Sequence, residues 1–246
     1  MPAGASPPFR IYKGIFMKSS TAYLKGIKIS LPVILGYLPV AIAFAVMASE
    51  AGLSRFEIIA MSTLVFAGAS QIMAVGMITA GASMISIVVA TFVLNLRHFI
   101  MGTYIMKKLG KTSPLEKVTT AHGITDEAFA IVSATEAELC SVPYLFGIIT
   151  VTYGSWVLGT VLGAFVSVFI PASISGALGI ALYALFISLL VPGIKKSLRL
   201  VTLVIFTALL NAVLCIFIPS SWAMIASCLI GAFIGVYFVE DTEVAE

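Results

Sequence analysis

An all-α, polytopic helical membrane protein, with about seven transmembrane segments and one or more broken or re-entrant helices, is the fold this sequence predicts. Three observations predict it. Hydrophobic residues make up 60% of the chain and charged residues 10%, with a mean hydropathy of +1.12. No charged residue stands between Leu139 and Ile194, or between Leu200 and Val239. A hydrocarbon core about 30 Å thick takes about 20 apolar residues per helix, so each stretch holds two spans. Prolines and small residues also interrupt the early apolar runs, as broken helices require. A soluble chain of this length would carry far more charge.

Residues 1–26 read as a basic cytoplasmic leader with Arg10, Lys13, Lys18 and Lys25,. The first apolar run, 27–49, is longer than the apolar region of a signal peptide, about 7–15 residues, and reads as a retained span. Pro32, Gly36 and Pro39 interrupt it and are candidate helix-break positions. Each proline lacks a backbone donor and its ring crowds the carbonyl four residues earlier. Backbone freed in this way is tolerated at membrane depth only where protein or a wet cavity covers it. A proline-kinked helix is the simpler alternative. Further apolar segments fall at 57–80, 84–106, 142–169, 174–192, 200–218 and 222–239, with a shorter, weaker one at 118–135. Short connections near Gly81, Pro171 and Pro219 imply antiparallel neighbours. Residues 27–239 thus form one transmembrane domain, followed by an acidic tail at 240–246.

Orientation exposes a conflict. The leader and Lys195, Lys196 and Arg199 should face the cytoplasm,. Three full spans before Lys107 would put Lys107, Lys108, Lys111 and Lys117 outside. Either an early segment is re-entrant, with the proline-rich first run favoured, or 118–135 crosses.

The polar residues inside these segments are the candidate site. Arg97 is the only formally charged residue between Glu57 and Lys107, and Asn95 and His98 flank it. A charge at bilayer depth costs about 2.5–3.5 kcal/mol on insertion scales, so such a residue faces a cavity, a partner charge or a substrate path. At 3.6 residues per turn Thr91, Asn95, His98 and Gly102 share a stripe that Arg97 does not. In Phe66-Ala-Gly68-Ala-Ser70-Gln71, small residues and an amide offer either a helix break open to a ligand or close helix packing with Gln71 as an interhelical bond,. Thr125-Asp126-Glu127 reads as an N-cap with two acids in the first turn. Either acid is also a candidate partner for Arg97, ammonium contact or proton site. Ser113-Pro-Leu-Glu116 is a capping box with proline at N1. Gly159-xxx-Gly163 and Gly231-xxx-Gly235 suggest close helix contacts.

Other chemistries find no support. No His/Cys/carboxylate cluster has metal-ligand spacing, and no cofactor is expected. Cys140, Cys215 and Cys228 have no framework spacing,. Gly110-Lys-Thr112 lacks the leading P-loop glycine, and nothing points to nucleic acid. An intramembrane aspartyl protease needs two facing carboxyls, yet the only aspartates are Asp126 and Asp241. A rhomboid-like serine needs Gly-x-Ser-Gly, and Gly68-Ala-Ser70 is followed by Gln71. The chain is expected not to be an enzyme.

Leu31-Pro32…Gly36-Tyr-Leu-Pro39, Phe66-Ala-Gly-Ala-Ser-Gln71, Asn95-Leu-Arg-His98 and Asp126-Glu127, in this order, resemble the AzlC family, the large subunit of bacterial branched-chain amino acid exporters. The resemblance spans Leu24 to Phe238. It implies a multi-pass permease of the bacterial inner membrane exporting valine, leucine, isoleucine or related amino acids, together with a small hydrophobic AzlD-type subunit. The chain departs from the family at Ala41 and Ala45, where many members carry glycine, and a role of those glycines in approaching substrate would bear on which amino acid is preferred.

The polar residues suit such a substrate. Gly68, Ser70, Gln71, Asn95 and Arg97 are candidate substrate contacts, with Arg97 or a half-helix N-terminus taking the carboxylate. His98, Asp126 and Glu127 are candidate proton-coupling or ion-pair residues. An aliphatic pocket distinguishes one methylene weakly, so broad selectivity that includes methionine is expected. A carrier or channel for another small amphiphile and a non-transporting scaffold subunit are the alternatives.

Overall fold

The structure, a computed structural model, describes residues 19–169 apart from 111 and 137, residues 197–238, and positions 187, 191 and 195. The predicted 174–192 segment, positions 187 and 191 apart, the acidic tail and most of the leader lie outside the described residues.

Helix α1 (Ser19–Ser30) leads through Leu31 and Pro32 into α2 (Val33–Glu50). The boundary drawn at residue 26 therefore falls inside a helix. Pro32 is in right-handed helical conformation, and i→i−3 bonds from Ile34 and Leu35 carry the chain past it. The break is a joint rather than a reversal. Gly36 and Pro39 correct the expectation: α2 runs through both. A single proline removes one hydrogen bond, which an 18-residue helix absorbs,, and a Cβ at Gly36 would meet nothing within 4 Å.

Helix α8 (Val142–Val166) is the spine of the molecule. Successive contacts rise together along α2 and α8: a Cβ at Gly159 would meet Ala41 at 2.7 Å, and one at Gly163 would meet Ile42 at 2.7 Å and Ala45 at 2.8 Å. Gly26 meets Gly147 in the same register. The kinked α1–α2 and α8 therefore run parallel, packed through a small-residue seam. Ala41 and Ala45 lie in that seam, fully buried.

Two segments turn back inside the fold. Helix α3 (Arg55–Ala60) continues as a π-helical turn, Met61–Val65, and ends at Phe66; α4 (Gly68–Thr79) then begins. Descending, Arg55 stacks over Phe165, Ser62 bonds Thr160, and Tyr153 reaches the Thr63 carbonyl. Returning, Gln71 bonds Ser62, and Gly81 leads into α5 (Met84–Leu109), which runs antiparallel to α4 with Ser70 bonded to Asn95. The other segment comprises α6 (Pro114–His122) and α7 (Asp126–Ala134). From the end of α5 it enters as far as His122, beside Tyr153, then returns from Asp126 at Arg97 to Thr135 at Tyr144. Lys108 closes that return by donating to the carbonyls of Val132 (2.7 Å), Ser133 (3.1 Å) and Thr135 (2.5 Å).

These two re-entrant hairpins resolve the charge conflict. An early segment is re-entrant, as expected, but it is 57–80 rather than the proline-rich first run, and 118–135 turns back as well. Lys107, Lys108 and Lys117 then share the face where α1 and α8 begin. Helices α9 (Leu198–Phe217) and α10 (Ser220–Phe238) form an antiparallel pair, Asn211 opposite Ser227 and Thr207 opposite Gly231. Among the described residues four helices, α2, α5, α8 and α9, are long and apolar enough to cross a membrane by length and composition. α9 buries none of its residues.

Candidate functional site

The tips of the two hairpins meet halfway along α8. Phe66 takes left-handed backbone (φ 43°, ψ 49°), the only such non-glycine residue among those described. That conformation is costly for an L side chain and persists only when packing imposes it. Here the Phe66 ring rests edge-on against Tyr153 (4.9 Å between centroids) and lies 6.3 Å from His122, at the end of α6. The opposing tip, Gly123-Ile124-Thr125, sits where a Cβ on Gly123 would strike Ile149 at 2.5 Å.

Between the tips lies a cavity of about 40 Å³, room for roughly three waters. Tyr37, Val40, Phe66, Ala67, Gly68, Ala69, Ile72 and Trp156 form its largely apolar wall; Arg97, His98, Thr125, Asp126 and Glu127 form its polar side. α5 is regular and presents Phe92, Leu96, Phe99 and Ile100 outward, which turns Arg97 and His98 inward. Arg97 Nη1 pairs with Asp126 Oδ2 at 2.8 Å, and each side chain is about one-third exposed (33% and 31%). Arg97 Nε is buried and finds no partner among the described residues. Thr125 caps α7, accepting from the Ala128 N–H at 3.3 Å. The Tyr37 hydroxyl lies 2.9 Å from Thr125 Oγ1 and donates to Glu127.

The N-terminus of α4 is built differently. Its cap is Ala67, which supplies no side-chain acceptor. The first amides of a helix lack intrahelical partners and carry the positive end of the dipole, and Gly68 and Ala69 bring them to the cavity wall. A Cβ on Gly68 would lie 2.5 Å from the Trp156 ring, so only glycine admits the indole there.

Of the expected substrate contacts, Gly68 and Arg97 line the cavity. Gln71 stands behind it, 1% exposed and committed at both ends: Nε2 donates to Ser62 (3.0 Å) and Oε1 accepts from the Trp156 indole (3.1 Å). Ser70 and Asn95 bond each other at 2.7 Å, joining α4 to α5. His98, Asp126 and Glu127 all line the cavity, and Asp126 is the partner of Arg97. Tyr37 and Trp156 were not singled out from sequence. The signal available was a tryptophan at mid-span, since an indole N–H in an apolar setting needs an acceptor. The arrangement offers an anion site at Arg97 and the start of α4, carboxylates facing it, and an apolar wall.

Comparisons follow the same core. A family model described as AzlC protein matches residues 32–170, the stretch holding both hairpins, α5 and α8. The Inner membrane protein YgaZ of Escherichia coli is 34% identical over 188 residues, covering 72% of this chain and 76% of that protein. An uncharacterized membrane protein of Archaeoglobus fulgidus is 35% identical over 182 residues, covering 73% and 79%. The Branched-chain amino acid transport protein AzlC of Bacillus subtilis is 23% identical over 178 residues, covering 72% and 69%. No solved structure matches. The matched stretch, more than half of the sequence, places this multi-pass membrane protein in the AzlC family.

Proposed function

We propose that the chain is a carrier rather than an enzyme: the large subunit of a two-component exporter of branched-chain amino acids, working with a small AzlD-type membrane subunit and drawing on the proton gradient. The observation that carries the reading is Arg97. It is a guanidinium at membrane depth, on the wall of a half-apolar cavity, with a carboxylate on one nitrogen and a second, buried nitrogen unpaired among the described residues. An amino acid is a zwitterion with an aliphatic body, and this cavity sets a cation and a half-helix N-terminus against two carboxylates and an apolar wall. Transporter sites formed where helices break at mid-membrane have this construction. The transport named for the B. subtilis relative supports branched-chain substrates. Carboxylates and His98 on the same wall supply places for a coupled proton.

The test is efflux of preloaded labelled leucine from cells making this chain with and without its small partner, comparing wild type with Arg97→Ala at matched membrane levels. Efflux that needs the partner and disappears with Arg97 is the expected result. Efflux that persists in Arg97→Ala would make Arg97 structural, and absence of efflux from wild type would remove leucine as substrate. Collapsing the proton gradient is expected to abolish efflux; transport that continues would remove proton coupling. Saturable counterflow with valine, isoleucine and methionine separates a carrier from a passive channel.

A further inference from the structure

The two hairpins are fastened to the scaffold by different chemistry. The tip of α3–α4 is held by Gly68 seated on Trp156 and by the uncharged run Trp156–Gln71–Ser62–Thr160, whose members are all buried. Gln71, Ser62 and Thr160 stand off the cavity wall. A charged head group in the cavity has little to offer that lock. The tip of α6–α7 is held by Asp126 on Arg97 and by Thr125 and Glu127 on Tyr37, and all five residues face the cavity.

The Arg97–Asp126 pair is also incomplete. Asp126 engages Nη1, while Nε has no acceptor among the described residues. A free carboxylate approaching end-on can take Nη1 and Nη2 side by side, two nitrogens where Asp126 pairs with Nη1,. Asp126 is not stranded when it leaves, because it sits in the first turn of α7, where the helix dipole favours a negative charge,. At the far end of α7, Lys108 fixes the last carbonyls, so motion concentrates at the tip. A ligand moves such an equilibrium only through differential affinity for the two states, and the second nitrogen of that end-on pair supplies it.

We infer that Asp126 is a positioning residue rather than a substrate ligand: it latches the α6–α7 hairpin closed on Arg97, and the carboxylate of the transported amino acid opens that hairpin by replacing Asp126. The inference rests on the exporter reading. It also makes the face carrying Lys107 and Lys117 the side from which substrate loads.

The reporter is Ile124→Cys, at a tip position 2% exposed and outside the cavity wall, in a chain whose Cys140, Cys215 and Cys228 are replaced by alanine. Membrane vesicles holding this chain and its small partner, with the Lys107 face outward, are labelled with a membrane-impermeant maleimide. Saturating L-leucine is expected to speed labelling about tenfold, the change a 1.4 kcal/mol shift in the closed–open balance produces. Asp126→Asn is expected to label fast without leucine and to ignore it, while Asp126→Glu keeps slow labelling and the leucine response. Labelling of Asp126→Asn at the wild-type rate overturns the latch. Fast labelling in Asp126→Asn with no leucine effect on the wild type overturns displacement by substrate. Failure of the exporter reading shows separately, as wild-type chain that moves no leucine while the Asp126→Asn comparison stands.

Discussion

Gln71→Leu isolates the lock on the α3–α4 hairpin. The substitution keeps the apolar bulk and removes an acceptor from the Trp156 indole and a donor to Ser62. Ser62 retains Thr160 at 2.7 Å, so the loss concentrates on one indole N–H. Interhelical hydrogen bonds in membranes average about 0.6 kcal/mol, whereas stranding a buried donor costs about 1–3 kcal/mol. Gln71 is 1% exposed and Trp156 4%, so neither has water to turn to, and the higher range applies. For a chain of this size that range corresponds to a fall in Tm of about 3–10 °C. The assay is thermal unfolding of the purified protein for wild type, Gln71→Leu, Trp156→Phe and the double variant. Phenylalanine removes the stranded donor, so the double variant should be less destabilised than the sum of the singles by about 1 kcal/mol or more. Strict additivity would refute the claim that the indole–amide bond, rather than local packing, holds the hairpin.

Three further outcomes follow from named contacts. Gly163→Leu drives a side chain into Ile42 and Ala45, already within 2.8 Å of a Cβ; it should cost at least the ~1–3 kcal/mol of an overpacked core and separate α2 from α8, read as lost folded yield in detergent. Lys108→Met keeps the stem but leaves the last carbonyls of α7 without their charged donor. About 1.5–3 kcal/mol is expected, the scale of a hydrogen bond to a charged group, seen as faster amide exchange confined to α7. Glu116, outside the membrane-spanning segments, is held below the ordinary carboxylate value of 4.5 by the Ser113 backbone N–H first and its hydroxyl second. A depressed folded pKa contributes stability above the unfolded value and loses it as pH falls through the folded one. The difference in thermal stability between wild type and Glu116→Gln should therefore be constant above pH 4.5 and shrink below it.

What the sequence made legible was local chemistry. The Ser113–Glu116 capping box, the Thr125 cap and the apolar runs appear where residue type and spacing put them, because each depends on neighbours a few residues away. Asp126 as partner of Arg97 was among the readings, since few opposite charges share that depth. The direction of a segment was not legible. Hydropathy counts apolar residues whichever way the chain points, and 57–80 is long enough to cross. Its reversal depends on Phe66 in left-handed backbone, a position where glycine would have signalled a turn and phenylalanine does not. The prolines misled for the same reason in reverse: Pro39 announces a break that α2 absorbs. Ala41 and Ala45 pointed toward substrate only by resemblance, and their seam with Gly159 and Gly163 required knowing that α2 and α8 run parallel.

Three costs that would each be severe alone fall at one place in this fold. Two helix breaks expose backbone amides at membrane depth, Arg97 puts a full charge there, and Asp126 and Glu127 put two of the opposite sign there. Each offsets another. α7 starts under the two acids, which suit the positive end of its dipole, and α4 starts uncapped beside the guanidinium, leaving its amides for an anion,. Counting a half charge for each helix start, the formal charges of Arg97, the two acids and the two helix ends sum to about zero. A zwitterion adds no net charge to such an island, whereas a simple anion or cation would leave a charge unbalanced in a medium that penalises it heavily. Substrates carrying both groups should therefore be preferred over the corresponding keto acids and amines, even though those fit the same apolar wall, and competition of each class against leucine counterflow reads that preference directly. A keto acid competing as well as leucine would show that Arg97 and the start of α4 act as a plain anion site, with the two carboxylates serving the hairpin alone.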